Sequence, residues 1–323
     1  MEKEKKEYKN NENAYSQEID FVEIINIIWN GKIKIFIILF IVSILSIFYS
    51  LSLPNIYKSE ATLTSVTEDT NSLSSMARDM GGLGLANMAG ISLGSEEGNK
   101  TTIGIAVLNS RQFFKNFANK YDVIVPLMAS KGWNRSSNSL IYDPDIYDIA
   151  LKKWVREPSN VYGVIPSIQE SYKEFRKIYS VSEDQKTGII TISIEHYSPY
   201  LAKKWLEAII LEINELSRDE DILKAEKSIS YLNEQIKSTN ISEIKLRLFD
   251  LIQTQSQTIM LAKSTPEYLF KIIDPAVVPE IKYGPKRAVI CLIGFLLGLF
   301  FAIIYVFIRH YQRSYNNAST NGS

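Results

Sequence analysis

The stretch Ile272–Phe300, IIDPAVVPEIKYGPKRAVICLIGFLLGLF, decides how the rest of the chain is read. Pro275, Pro279 and Pro285 stand in irregular steps, Lys286 and Arg287 follow, and from Ala288 to Ile308 no side chain is charged. A run of this length covers the roughly 30 Å of a bilayer's hydrocarbon as a helix. Prolines fix φ and remove backbone donors, so the segment ahead of the run is a stiff, extended or kinked lead-in. The chain braces itself before it meets an apolar phase.

A second run, Ile35–Leu53, is also free of charge and is preceded by Lys32 and Lys34. A cleaved signal peptide is the alternative reading. The run exceeds the usual ~7–15-residue apolar core of such peptides, and a long polar segment precedes it. Two transmembrane helices, 35–53 and 288–308, therefore bracket residues 54–287 and place both termini on one side of the membrane. Residues 1–34 read as a polar tail ending in an interfacial helix, with Phe21, Ile24, Ile25 and Ile28 at helical spacing and Trp29 at the membrane edge. Residues 309–323 form a C-terminal tail. Gly294, Gly298 and Ala302 lie one turn apart on the second span, and Ser43, Ser46 and Ser50 share a face of the first. Small residues at that spacing let helices approach closely, so these six are the expected packing positions.

Between the spans the pattern is mixed α/β. NIYKSEATLTSV (Asn55–Val66) alternates as a strand, and IYSVSEDQKTGIITISIEHYS (Ile178–Ser198) reads as a hairpin. TTIGIAVLNSRQFFKNFANKYD (Thr101–Asp122) has helical spacing. Asp143 and Pro144 predict the start of another helix, and Ser167 with Glu170 predicts a capping box. From Ser198–Pro199 the chain is helical to about 262. One face carries Leu201, Trp205, Ala208, Ile209, Ile213 and Leu216. Further on, Ile222, Ala225, Ile229, Leu232 and Ile236 step as a coiled-coil seam does. A polar break at KSTN, with Asn240 and Glu243 as caps, would fold this arm into an antiparallel pair; the alternative is an ordinary helical face laid on the sheet. PEYLFKIIDPAVV (Pro266–Val278) then returns as a strand beside the first. The Gly/Met-rich segment 74–98 reads either as a loop that touches a partner or as a connector. The fold class is a membrane-anchored α+β chain with a long helical arm.

Composition limits the chemistry. Lys plus Arg and Asp plus Glu both total 36, so no basic field exists to neutralise phosphates, and nucleic acid is not an expected partner. The single Cys291 lies in an apolar run, and His196 and His310 are far apart. No nucleophile elbow, phosphate loop or metal-protease pattern occurs, so no catalytic residue, cofactor or metal is expected.

The stretches GGLGLANMAGISLG (81–94), IYDPDIYDIALKKWVRE (141–157), VSEDQKTGIITISIEHYSPYLAKKWLEAII (181–210), AEKSISYLNEQI (225–236) and PEYLFKIIDPAVVPEIKYGPKRAVI (266–290), within this two-span layout, resemble the Wzz-type chain length determinants, or polysaccharide co-polymerases. Pro275, Pro279 and Pro285 match that family's proline-rich membrane-proximal motif, the stalk 274–287 here. The resemblance implies a bacterial inner-membrane protein with a periplasmic central domain, assembled as a ring that is often octameric. Such a ring sets the modal length to which a partner polymerase extends lipopolysaccharide O-antigen. The growing glycan is a further candidate partner beside the bilayer and the polymerase. Some relatives carry a cytoplasmic tyrosine kinase after the second span, and the short tail here points to the kinase-less branch. Capsule or exopolysaccharide export, a periplasmic sensor acting through a partner, and a transport adaptor are the rival readings.

Overall fold

The computed structural model describes residues 27–66, 96–159 and 161–320. The Gly/Met-rich stretch up to Ser95 and the amphipathic N-terminal segment up to Asn26 lie outside them. The chain divides into two compact units, one formed by residues up to Pro54 together with those from Gly284 on, the other by Asn55–Tyr283.

The first unit is a helix pair. Helix α1 (Lys32–Ser52) and the last helix, α8 (Arg287–Thr320), are each long and apolar enough to cross a membrane, over Lys32–Ser52 and Arg287–Gln312. Their register is antiparallel: Gly31 faces Val306, Val42 faces Gly298, Ser46 faces Gly294, and the Arg287 guanidinium donates to the carbonyl of Leu53.

The second unit is built on strands β1 (Tyr57–Ser65), β6 (Tyr179–Asp184), β7 (Ile189–His196) and β8 (Phe270–Asp274), joined in an antiparallel sheet of order β6-β7-β1-β8. The register pairs Leu63 with Ile190, Ala61 with Ile192 and Ser59 with Ile194, which puts these side chains on one face. That face is buried by helix α6 (Pro199–Ser238) through Ala202, Trp205, Leu206, Ile209 and Ile213. Helices α2 (Glu96–Leu108), α3 (Arg111–Lys120), α4 (Ile124–Ala129) and α5 (Ile168–Ile178) close the core, with Phe114, Phe117, Phe175 and Tyr179 in ring contact at centroid distances of 4.9–5.9 Å. The β6–β7 turn ends at Gly188, whose φ of +68° is left-handed backbone that glycine adopts without strain. The Asp184 carboxylate accepts the Lys186 N–H inside this turn.

The structure corrects several local expectations. The helical run Thr101–Asp122 is two helices, because Ser110 leaves the helical path to accept the Phe113 N–H and cap α3. The helix expected from Asp143 is absent. The segment instead forms short strands β4 (Tyr147–Asp148) and β5 (Lys153–Trp154), next to the hairpin of β2 (Ser130–Asn134) and β3 (Ser139–Tyr142). The aspartates explain this: Asp143 Oδ1 accepts the Asp145 N–H, and Asp148 Oδ1 accepts those of Ala150 and Leu151. Each carboxylate offers the backbone a turn in place of the helical ladder, and the Tyr147 and Trp154 rings then meet across the strands at 5.1 Å. Third, Ser167 does cap α5 by accepting the Glu170 N–H, but Glu170 does not complete the box. Its carboxylate takes a two-pronged bond from the Arg156 guanidinium, which holds Glu170 below the usual carboxylate range.

Helix α6 serves both readings of the arm. Its first half lies on the sheet; its second half packs along helix α7 (Ser242–Ser264), which folds back on it, with Ala225 and Ala262 buried and Ile222, Ile229, Leu232, Ile236, Leu248, Ile252 and Ile259 half-buried. At about 1.5 Å per residue the 40 residues of α6 span roughly 60 Å. The cap of α7 is Ile241, without a side-chain bond; Asn240 stands one residue too early to reach the first free N–H groups.

Candidate functional site

The lead-in to α8 is the place to look for function, since it joins the sheet to the apolar helix pair in the chain. Strand β8 is the edge strand beside β1, and a register shift between Thr62 and Leu63 marks where it begins to leave the ladder. Beyond Asp274 the backbone runs through exposed Pro275 and half-buried Pro279 but does not hang free. The Ser59 hydroxyl donates to the Val277 carbonyl at 2.8 Å, and the Tyr283 N–H donates to the Ile56 carbonyl at 2.8 Å. Lys58 Nζ stands 5.1 Å from the centre of the Tyr283 ring. The stalk up to Tyr283 is thus laced to the first residues of β1. Pro285 belongs to the helix-pair unit.

At its other end β8 is positioned by Asn214, only 3% exposed, on the sheet side of α6. Its Oδ1 accepts the N–H groups of Leu269 and Phe270, both at 2.8 Å, and its Nδ2 donates to the carbonyls of Ile210 and Phe270 at 3.1 and 3.0 Å. The two backbone donors fix the orientation of the amide. One side chain therefore satisfies the start of an edge strand that, among the described residues, no further strand covers. Sequence reasoning missed Asn214, Ser59 and Ile56. Asn214 does interrupt the apolar pattern Ile209, Ile210, Ile213 at a sheet-facing position, and a polar residue there is the signal that was available.

In the helix pair, a Cβ at Gly294 would fall 2.3 Å from Ser46 Oγ, and one at Gly298 3.1 Å from Val42 Cβ. The Ser46 hydroxyl donates to the Ile290 carbonyl at 3.2 Å. Ala302 and Ser50 are buried, and Ser43 is half-buried. The small residues of α8 therefore face α1 of the same chain.

The remaining polar groups do structural work. His196 is buried against Trp205, its Nδ1 accepts the Ser198 N–H, and its Nε2 faces the Pro126 carbonyl at 3.4 Å; burial pushes its pKa down to about 4. It thus orients the residue that caps α6. His310 is exposed. A cleft of about 490 Å³ over β4 and β5 is lined by Tyr142, Pro144, Tyr147, Ile149 and Val155, and its one ionisable carboxylate, Asp148, is engaged in the turn already described. Among the described residues no group of three or more His, Cys, Asp or Glu is placed to hold a metal ion.

Comparison with known proteins bears on the same two regions. The Wzz profile, described as "Chain length determinant protein", matches residues 17–120. A second profile, GNVR, "G-rich domain on putative tyrosine kinase", matches 243–311, which takes in α7, β8, the stalk and most of α8. No curated protein sequence matches the chain significantly. Solved structures similar to it include a "full-length bacterial polysaccharide co-polymerase", at 13% identity over 92% of this chain and 99% of that one, with a TM-score of 0.39. Another is a fragment of WzzB, the polysaccharide co-polymerase from Salmonella Typhimurium, at 12% identity over 71% and 100%, with a TM-score of 0.31. The chain thus carries a chain length determinant region over residues 17–120 and a GNVR region over 243–311.

Proposed function

We propose that the protein regulates the modal length of a bacterial surface polysaccharide, lipopolysaccharide O-antigen, by acting on a partner polymerase rather than by catalysing a reaction. The observation that carries this reading is the pair of family matches, one over the first span and β1, the other over the returning strand, stalk and second span. In this reading the protein sits in the inner membrane as a homo-oligomeric ring. Both termini are cytoplasmic and 54–287 is periplasmic. A regulator of this kind needs an anchor beside the polymerase and a domain whose last residues before the membrane are held in place; the close-packed helix pair and the stalk laced to the start of β1 each support this reading.

Deleting the gene and separating extracted lipopolysaccharide by size tests the function. The expected outcome is polymer of unregulated length, with the modal cluster gone. Complete loss of polymer would point to export instead. An unchanged profile would favour a sensor that signals through a partner.

The stalk is tested by replacing Pro275, Pro279 and Pro285 together with alanine. A looser linker lets domain and span move independently, so the modal cluster is expected to broaden or shift while the protein level stays normal. A ladder identical to wild type would remove the stalk from the mechanism. A role in capsule or exopolysaccharide production is the second reading, favoured by the match of 243–311 to a domain found on tyrosine kinases.

A further inference from the structure

The stretch IYDPDIYDIALKKWVRE (Ile141–Glu157) lies in an excursion that adds nothing to the core: among the described residues, none between 130 and 166 belongs to the buried apolar cluster. The same excursion holds two of the chain's four tryptophans and three tyrosines. Aromatic rings carry the largest packing payload of any side chains, so rings left outside the core call for another use. A hairpin with two-residue strands such as β4–β5 has little stability of its own. Its rings hold it together: Tyr147 meets Trp154 edge-on at 5.1 Å and Tyr142 at 6.1 Å. Tyr142 and Tyr147 also line the cleft of about 490 Å³, beside Asp148, Ile149 (58% exposed) and Val155 (46% exposed). Sites for small ligands have about this size, ~300–1,000 Å³, and the same apolar lining with a few polar groups.

The polar groups of the lining are only partly used. Asp148 Oδ1 accepts the N–H groups of Ala150 and Leu151, and a carboxylate has further acceptor positions on its second oxygen. Among the described residues, neither Asp148 Oδ2 nor the hydroxyls of Tyr142 and Tyr147 has a hydrogen-bond partner. Burial, and after it the neighbouring Tyr147, holds the Tyr142 phenol above its usual range, so it remains a hydroxyl donor. A sugar ring has the matching two-sided surface. Its C–H face lies on aromatic and aliphatic side chains, and its hydroxyls pair with phenols and, by the stronger charge-assisted bond, with a carboxylate. An acyl chain would leave Asp148 desolvated without a partner, and a phosphate or a sugar acid would meet its negative charge.

We propose that the cleft over the β4–β5 hairpin is a glycan-binding site for sugar residues that carry no acid group: the sugar ring seats on Tyr142, Tyr147 and the aliphatic rim of Ile149 and Val155, and its hydroxyls pair with Asp148 Oδ2 and the two phenols. The inference rests on the reading of the chain as a regulator of polysaccharide length, and it makes the polymer itself a direct partner of the Asn55–Tyr283 unit.

The test is saturation-transfer difference NMR on the full chain in lauryldimethylamine oxide, a detergent without a sugar headgroup. The probe is the host bacterium's surface polysaccharide, delipidated by mild acid. Saturating the protein is expected to transfer signal to the sugar ring C–H protons. In Tyr142→Phe/Tyr147→Phe/Asp148→Asn the transfer is expected to fall about tenfold, since the phenols and the charged acceptor are gone. The rings remain, and the asparagine oxygen still accepts the two turn N–H groups, so the hairpin keeps its fold. Ile149→Trp, which fills the cleft from an exposed position, is expected to give the same loss. Tyr231→Phe, on an exposed part of α6, is expected to leave the transfer unchanged. No transfer in the wild type, or undiminished transfer in both cleft variants, overturns the site. The size profile of the deletion strain decides the regulator reading separately. A retained modal cluster with transfer present removes regulation and keeps the site; a lost cluster without transfer removes the site and keeps regulation.

Discussion

Asn214→Ala is expected to destabilise the Asn55–Tyr283 unit by about 2–4 kcal/mol, a large part of the stability of an ordinary domain. The amide makes four hydrogen bonds from a site 3% exposed to solvent. Truncation leaves the Leu269 and Phe270 N–H groups without their acceptor at the start of β8. Each buried donor stripped of its partner costs about 1–3 kcal/mol, and partial rehydration at the sheet edge keeps the total below the sum of both. For a unit of this size the shift in Tm is about 4–16 °C, read from the melting of the full chain in detergent by circular dichroism. Because β8 leads into the stalk, the same variant should also blur the polysaccharide size distribution at temperatures where the protein remains folded. A shift below about 2 °C would show that the ladder with β1 alone holds the strand in register.

Gly294→Ile carries the second large effect. A Cβ at position 294 would stand 2.3 Å from Ser46 Oγ and 2.6 Å from Ser46 Cβ, distances that real contacts do not reach. The side chain of Ser46 cannot absorb the whole overlap by rotating, since its Cβ is itself one of the clashing atoms. The helices must part locally, at a cost of about 1–3 kcal/mol for forced overpacking. Val42 Cβ lies 3.1 Å from the Cβ position of Gly298, so a Val42→Cys/Gly298→Cys pair in a Cys291→Ala background is placed to form a disulfide within one chain. Gly294→Ile is expected to reduce that intrachain cross-link several-fold, and adding Ser46→Gly should restore part of it. Undiminished cross-linking would mean that the helices meet through other residues.

Much of this fold was legible because its signals are periodic. The alternation of β1 and β7, the uncharged runs and the seam Ile222–Ile236 repeat over many residues, so each reading rests on several positions at once. What could not be read depended on single side chains choosing between partners far apart in the chain. Asp143 and Asp148 carry the same residue type as a helix cap, and only their bonds to Asp145, Ala150 and Leu151 show that they make turns. Glu170 stands at the spacing of a capping box, yet Arg156, fourteen residues earlier, outcompetes the helix for its carboxylate. The stalk prolines were visible in the sequence. The lacing that fastens the stalk, from Ser59 to Val277 and from Tyr283 to Ile56, bridges more than 200 residues and leaves no periodic trace.

The antiparallel pairing of β1 with β8 has a mechanical consequence. β1 begins just after α1, and β8 runs back toward that same end before the stalk continues to α8. Adjacent strands lie about 4.8 Å apart. A force that draws the two apolar helices apart would therefore not meet the sheet in shear, where all the ladder bonds resist together. It would act as on a zipper, reaching the Tyr283–Ile56 bond first, then Ser59–Val277, then the β1–β8 rungs in turn. Bonds taken singly yield at small loads, so separation of the two apolar helices would be converted stepwise into peeling of one edge strand, while the β1–β7 pairing behind it stays closed.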